Sequence, residues 1–588
     1  MLDKAKTEVT VDIIIAGGGT SGCVIGSRLA AAHPSLTILV IEAGPPTRDD
    51  LSHVQPARYP SHFVPDSTTI KYHVGKESKD FGSRSPVVAC GQCFGGGSSV
   101  NAVYARPSAS DFDDWEHCYG NAGWGSKDLI PLFQKMETFQ VESHADTHGS
   151  SGPLKISYGG LFTNVGQQFL DVATKYDKTR LKTDDLNGMR ESSINAYGCM
   201  QRWQKFIDGE TGRRSDVAHG YIYSHDYLNL QVVTGYHVKR IIFEGRRAVG
   251  VEYLPNPRFQ PDAALDVHLA RSRRLVVVSA GPFGSPALLE RSGIGAKRLM
   301  NKLGISTVVD LPGVGENFQD HIVTLTPYHA ANNAETLDGI VRNDAAEVES
   351  AKLRPSSTEL EIIGPEFSQR WKEYFVNAPD KPVMFLGSVS MYMGSLPIDP
   401  ERKYFSMGYH IEYPGSRGYI HVTSADDIDA PMDFDCKFLT SPDDVAILRW
   451  GYKFSREIAR RMPLYRGEFV AGHPQFSEGS QAVCHSDESP IAISAPNIKY
   501  TEDDDRAINE HIRKTSTNIW HSMGTCAMKP RGDGGVVDSS LNVYGVEGLK
   551  VADMSIAPGN VSANTCTTAI VIGEKAAAII LEELGVLE

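Results

Sequence analysis

The sequence predicts an α/β protein in which a discontinuous, nucleotide-binding parallel-sheet domain carries an inserted α+β domain of antiparallel sheet plus helices. Three observations predict it. The chain has 588 residues, too many for one core, so two or more domains are expected. Residues 11–16 are a short β-branched run that leads straight into a glycine turn and a helical pattern over 23–32, as a buried parallel strand feeding a helix does. Further buried-strand patterns occur at 275–279 and 549–553, so strands of one sheet are spread over the whole chain.

Taken in order, the strand at 11–16, the glycine turn, the helix and a second apolar strand at 36–41 make one βαβ unit. Gly17, Gly19 and Gly22 fill the GxGxxG pattern, with Thr20 and Ser21 in the same turn. The first glycine allows a tight turn, the second lets backbone approach a pyrophosphate, and the third lets helix pack on strand. The helix N-terminus offers free N–H groups to phosphates. Glu42 closes the second strand, where a carboxylate can accept ribose hydroxyls. The unit is Rossmann-like and predicts a dinucleotide. The strand at 275–279 also runs into a glycine turn at Gly281. The division expected is 1–154, 216–335 and 521–588 for the nucleotide domain, and 155–215 and 336–520 for the second. That second part holds a strand at 419–422 and a helix at 443–461. Stretches 330–358 and 476–494 are polar or rich in Gly, Ser and Pro, and read as mobile or peripheral.

Composition excludes several partners. Hydrophobic residues are 41% and charged residues 22%, with a net charge of −14, which disfavours nucleic acid and anionic membrane. No window of about 18 apolar residues exists to span a bilayer. Neither a secretory leader nor a peroxisomal tripeptide is seen, so a cytoplasmic location is expected. Cys90 and Cys93 have CxxC spacing but lack the second half of a zinc site, and no metal is expected.

Three further segments decide the dinucleotide. Gly95-Gly96-Gly97-Ser98-Ser99-Val100-Asn101 resembles the first signature of the glucose-methanol-choline (GMC) oxidoreductase family. The run from Gly281 to Gly295 is similar to the second signature along its whole length. Trp520-His521 and Gly559-Asn560-Val561-Ser562-Ala563-Asn564-Thr565 resemble the C-terminal active-site pair. Within the family the chain is most similar to fungal alcohol (methanol) oxidases. The resemblance implies FAD, with Gly96, Ser98, Asn101, Val238, Gly281, Trp520, Asp553, Asn564 and Thr565 joining the first glycine turn and Glu42 around it. Asp553 also reads, on its own, as a helix N-cap.

The resemblance further implies that His521 is the base that takes an alcohol's hydroxyl proton while hydride passes to flavin N5. A base near neutral pKa suits that task. Asn564 is its partner, an amide that can donate to the oxygen without competing for the proton. The implied reaction is oxidation of an alcohol to an aldehyde or ketone, with oxygen reduced to hydrogen peroxide. Alternatives are a dehydrogenase using another acceptor, and a non-redox flavoprotein of the hydroxynitrile lyase kind. Val100 stands where choline-oxidising relatives place a flavin-linking His, so non-covalent FAD is expected. Ala102-Val103-Tyr104-Ala105 is a shorter loop with smaller side chains than in methanol oxidases, so an alcohol larger than methanol is expected, such as a secondary-metabolite alcohol. A shortened 476–494 region implies a monomer or small homo-oligomer.

Overall fold

The computed structural model describes residues 8–101, 103–142, 146–160, 162–183, 185–189, 198–337 and 348–586. Two large sheets organise the chain. The first orders strands Tyr236–Glu244, Arg247–Pro255, His268–Val278, Glu8–Ala16, Ile38–Glu42 and Leu230–Thr234, with Leu549–Val551 against His268–Val278. Glu8–Ala16 pairs in parallel with both neighbours, as do Ile38–Glu42 with Leu230–Thr234 and His268–Val278 with Leu549–Val551. Its segments therefore come from both ends and the middle of the chain, as the sequence predicts. Ile13, Ile14, Ile15, Val276, Val277 and Val278 are fully buried, the mark of a parallel sheet covered on both faces. Helices Thr20–Ala32 and Cys566–Glu583 pack together so closely that a Cβ on Gly573 would lie 2.9 Å from Val24 Cβ. Ser21 Oγ donates to the Ala569 carbonyl at 2.6 Å and pins the pair.

The second sheet orders Tyr465–Glu468, Ile322–Ala330, Lys403–Ile411, Met384–Val389, Val348–Leu353, Gly198–Arg202 and Leu181–Lys182. Its pairings are antiparallel except the last. Helix Pro442–Arg461 lies on this sheet, with Gly451 against Met384 and Tyr409. It opens on Pro442 with Asp443 and Asp444 in its first turn and closes on Arg460 and Arg461, which suits both the backbone and the helix dipole. Among the described residues no helix is long and apolar enough to cross a membrane.

Several elements differ from the sequence expectation. Val348–Leu353, read as peripheral, is an interior strand, and Ala351 and Leu353 are fully buried. The misleading residue is Lys352, whose buried ammonium donates to the Arg106 carbonyl at 2.7 Å and so is satisfied inside the protein. Residues 338–347 of that stretch lie outside the described residues. Ile322–Ala330 falls in the stretch assigned to the nucleotide domain but is a strand of the second sheet. Tyr419–His421 pairs with Asp433–Asp435 in a separate ribbon. The 476–494 stretch holds no regular element, yet Arg456 and Arg461 grip its carbonyls at Ala482 and Ile493.

Candidate active site

A cavity of about 880 Å³ draws its walls from both sheets, a size that suits a cofactor or a drug-sized ligand. The first glycine turn lines it with Gly17, Gly19, Thr20 and Ser21, and Glu42 stands beside them. Gly17 has φ +114°, and a Cβ there would collide with the Ser279 carbonyl, so only glycine fits. The 95–101 turn docks on the first turn: Gly95 N donates to Gly18 O at 2.8 Å, and a Cβ on Gly96 would lie 2.9 Å from Gly19 Cα. Two glycine motifs 77 residues apart (96 minus 19) thus form one bare-backbone wall.

Polar groups on that wall are held by the backbone. Glu42 accepts from Gly18 N and Gly44 N, both at 2.8 Å, and burial pushes its carboxyl up to about 7 despite these bonds. Asn101 Nδ2 donates to Gly97 O at 2.6 Å, which leaves Oδ1 buried without a partner. Asp553 both caps the turn Met554–Ile556, through Ser555 N, and accepts from Gly281 N at 2.9 Å and Ser285 Oγ at 2.5 Å. Asp553 is therefore a cap residue that also lines the cavity. Thr565 stands at the N-cap position of helix Cys566–Glu583 without a side-chain cap bond, and the helix N-terminus opens on the cavity through Thr565 and Cys566.

His521 reaches the same cavity from the far end of the chain. Trp520 before it has φ +63° and stacks on Phe63 with centroids 4.2 Å apart, a strained conformation that persists only where the surroundings impose it. Asp320 imposes it, accepting from His521 N at 2.8 Å, Ser522 Oγ at 3.0 Å and Asn518 Nδ2 at 3.1 Å. Asn564 Nδ2 lies 3.1 Å from His521 Nε2, and His321 Nδ1 lies 2.7 Å from His521 Nδ1. An amide N–H only donates, so Nε2 carries the lone pair and the ring proton sits on Nδ1, given to His321. Burial, and then the imidazoles of His321 and His410, push His521 well below its ordinary value, which favours the neutral ring.

Of the residues singled out by sequence, Gly17, Gly19, Thr20, Ser21, Glu42, Gly96, Asn101, Val238, Gly281, Trp520, His521, Asp553, Asn564 and Thr565 line this one cavity. Gly22 and Ser98 stand behind it. Gly22 packs on the Gly17 carbonyl. Ser98 Oγ donates to Gly95 O at 2.8 Å and accepts from Val217 N at 3.3 Å. Val103 and Val100 line the cavity, whereas Tyr104 turns away to Glu137 at 2.6 Å. Ala102 lies outside the described residues. Sequence reasoning missed Asp320, His321, His410 and Glu412. The strand alternation of His410 and Glu412 was the available signal, hidden because nothing local shows what their sheet face meets.

The model of the GMC oxidoreductase N-terminal domain matches residues 11–323, and that of the C-terminal domain matches residues 414–573. This chain belongs to the GMC oxidoreductase family. The GMC oxidoreductase is 36% identical to an alcohol oxidase of Pichia angusta over 98% of its own length and 95% of the relative's, and equally so to an alcohol oxidase of Candida boidinii. Its fold is that of a formate oxidase of Aspergillus oryzae, at a TM-score of 0.81 and 22% identity, over 99% of this chain and 100% of that one. It is an FAD-dependent oxidoreductase. The residues fit that cofactor. The glycine wall gives close approach, Asn101 Oδ1 and Asn564 Oδ1 are buried acceptors awaiting donors, and two helix N-termini, at Thr20 and Cys566, offer N–H groups.

Proposed function

We propose that the enzyme oxidises an alcohol larger than methanol to an aldehyde or ketone, with His521 as base and non-covalent FAD. The observation that carries this reading is the 3.1 Å pairing of His521 Nε2 with Asn564 Nδ2 on the cavity that the N-terminal glycines also line. The alcohol oxidases among its relatives support the substrate class. FAD, when bound, supplies the two-electron acceptor for the hydride and passes the electrons to oxygen, giving hydrogen peroxide. The protein supplies the rest. His521 accepts the hydroxyl proton at Nε2, Asn564 Nδ2 turns from the imidazole to the developing alkoxide, and His321 holds the ring by its Nδ1. The N-terminus of Cys566–Glu583 places its partial positive charge where negative charge builds.

The walls near this pair favour a bulky apolar substrate. Trp203 and Phe385 line the cavity 4.8 Å apart, and Gly387 and Gly408, paired across two strands, put no side chain into it. Val100 has no atom able to bond covalently to a flavin. Anaerobic mixing with aliphatic, benzylic and polyketide-like alcohols tests the reading: flavin absorbance should bleach with the larger alcohols, and oxygen should restore it with release of peroxide. Bleaching by none of them, or turnover of a cyanohydrin without bleaching, contradicts it. Acid denaturation should release all the yellow colour, and colour left on the polypeptide contradicts the non-covalent assignment.

A further inference from the structure

Behind His521 lie three side chains, of which the proposed reaction uses only the Nδ1 of His321. His410 is the penultimate residue of strand Lys403–Ile411 and Glu412 lies just beyond its end; being two apart, they project from one face of the sheet. Val323 pairs with His410, so continuing the antiparallel register sets His321 opposite Glu412 on that same face. His321 and Glu412 are fully buried, and His410 is 5% exposed. Their free donor atoms converge. His321 Nε2 lies 4.0 Å from Glu412 Oε2, and His410 Nε2 lies 3.5 Å from Glu412 Oε1. All the ligand atoms fall within 4.8 Å of one another. None of the four atoms has a hydrogen-bond partner.

Buried polar atoms are almost always paired, whereas these four meet only one another, in long contacts, a cluster that an ion would complete. The buried Lys352 ammonium lends positive field to Glu412. It is bonded to the Arg106 carbonyl and, among the described residues, forms no ion pair with that carboxylate. Two imidazole nitrogens and one carboxylate are the donor set of a His₂Glu centre, which leaves a fourth position for water. Ligand atoms about 2.0–2.2 Å from a tetrahedral ion stand roughly 3.3–3.6 Å apart, so side chains lying within 4.8 Å of one another close on the ion by up to about an ångström. Nitrogen donors select zinc, cobalt or iron over magnesium or calcium. His410 lies in a strand, His321 and Glu412 stand directly beside strand ends, and His410 lines the cavity, giving an entry path.

We propose that His321, His410 and Glu412 form a site for one divalent transition-metal ion. The site has a consequence for His521 that rests on the base reading above. An ion on His321 Nε2 moves that ring's proton to Nδ1, which then donates to His521 Nδ1. The His521 proton is thereby transferred to Nε2, where it blocks uptake from the alcohol. Metal loading should therefore slow flavin reduction.

Chelator-treated, flavin-loaded enzyme titrated with cobalt(II) tests the site. One equivalent should bind per chain, with tetrahedral ligand-field bands at wavelengths beyond the flavin absorption. H410F and E412Q, with wild-type flavin content as the control for folding, should each weaken binding by more than the roughly 10–100-fold that losing an outer partner costs. Wild-type enzyme that shows no such bands, or binding unchanged in both variants, overturns the site without reference to catalysis. In a second arm, cobalt should slow anaerobic flavin reduction in the wild type and leave that of H410F unchanged. Equal slowing of both overturns the link to His521. The bands persist even if the base reading fails, so the two failures are distinguishable.

Discussion

Asp320 is fully buried, and burial pushes its carboxyl up to about 7 even though Asn518, the His521 amide and Ser522 donate to it. A carboxylate kept in such a place holds the His521 loop in its strained turn. Asp320→Ala should therefore lower kcat by about 10²-fold, the effect of an ångström-scale misplacement, with flavin content unchanged; unaltered turnover would show that the clamp is idle. His421 shows how a single residue sets a pH range. Burial opposes its charge, but hydrogen bonds to Glu290 at 2.7 Å and Glu316 at 3.3 Å outweigh it and raise the imidazole to about 9. A folded value above the unfolded 6.5 gives stability that is complete below pH 6.5 and lost as pH rises through 9. Melting temperature should fall over that interval in the wild type and be flatter in His421→Gln; parallel curves would contradict the assignment. The pairing of Asp320 and His321 with His521 was not legible in sequence. A residue 200 positions away, or 201, becomes a neighbour only once Thr517–Asn518 pairs with strand Ile322–Ala330.

At the scale of elements, the glycine turns were the most legible feature, because what they need is written in their own backbone. The turn at Gly17, the helix behind it, and the strands ending at Ala16 and Glu42 all follow from local pattern. The interior strand Val348–Leu353 did not, since its buried lysine mimics a solvent face until Arg106 is seen to receive it. Gly17→Ala tests the turn. Its Cβ would meet the Ser279 carbonyl at φ +114°, a strain that should leave the purified protein with reduced flavin occupancy, read as the ratio of flavin to protein absorbance. Full occupancy at the wild-type melting temperature would contradict the close-approach argument.

At the scale of the molecule, a buried polar network ties the second sheet, through Lys352, to the loop at Arg106 and the strand Glu137–Phe139. Arg106 and Glu137, both fully buried, pair at 2.6 Å. Glu137 also accepts from Tyr104 at 2.6 Å and lies 2.8 Å from His148 Nδ1, while the Arg106 carbonyl receives Lys352 from the second sheet. Removing one partner strands the other, so Glu137→Ala should destabilise by about 3–5 kcal/mol, measured by urea unfolding; a change below about 1 kcal/mol, the range of exposed pairs, would show that the network carries no such load. The pairing of Thr517–Asn518 with Ile322–Ala330 brings residue 521 to a cavity that residue 17 also lines, and the proposed chemistry depends on that meeting. The direct measurement is stopped-flow flavin reduction in His521→Ala under anaerobic conditions with an alcohol the wild type oxidises. The account predicts wild-type flavin content and reduction slowed by about 10²–10⁴-fold, the usual worth of a general base. Reduction at the wild-type rate would contradict it.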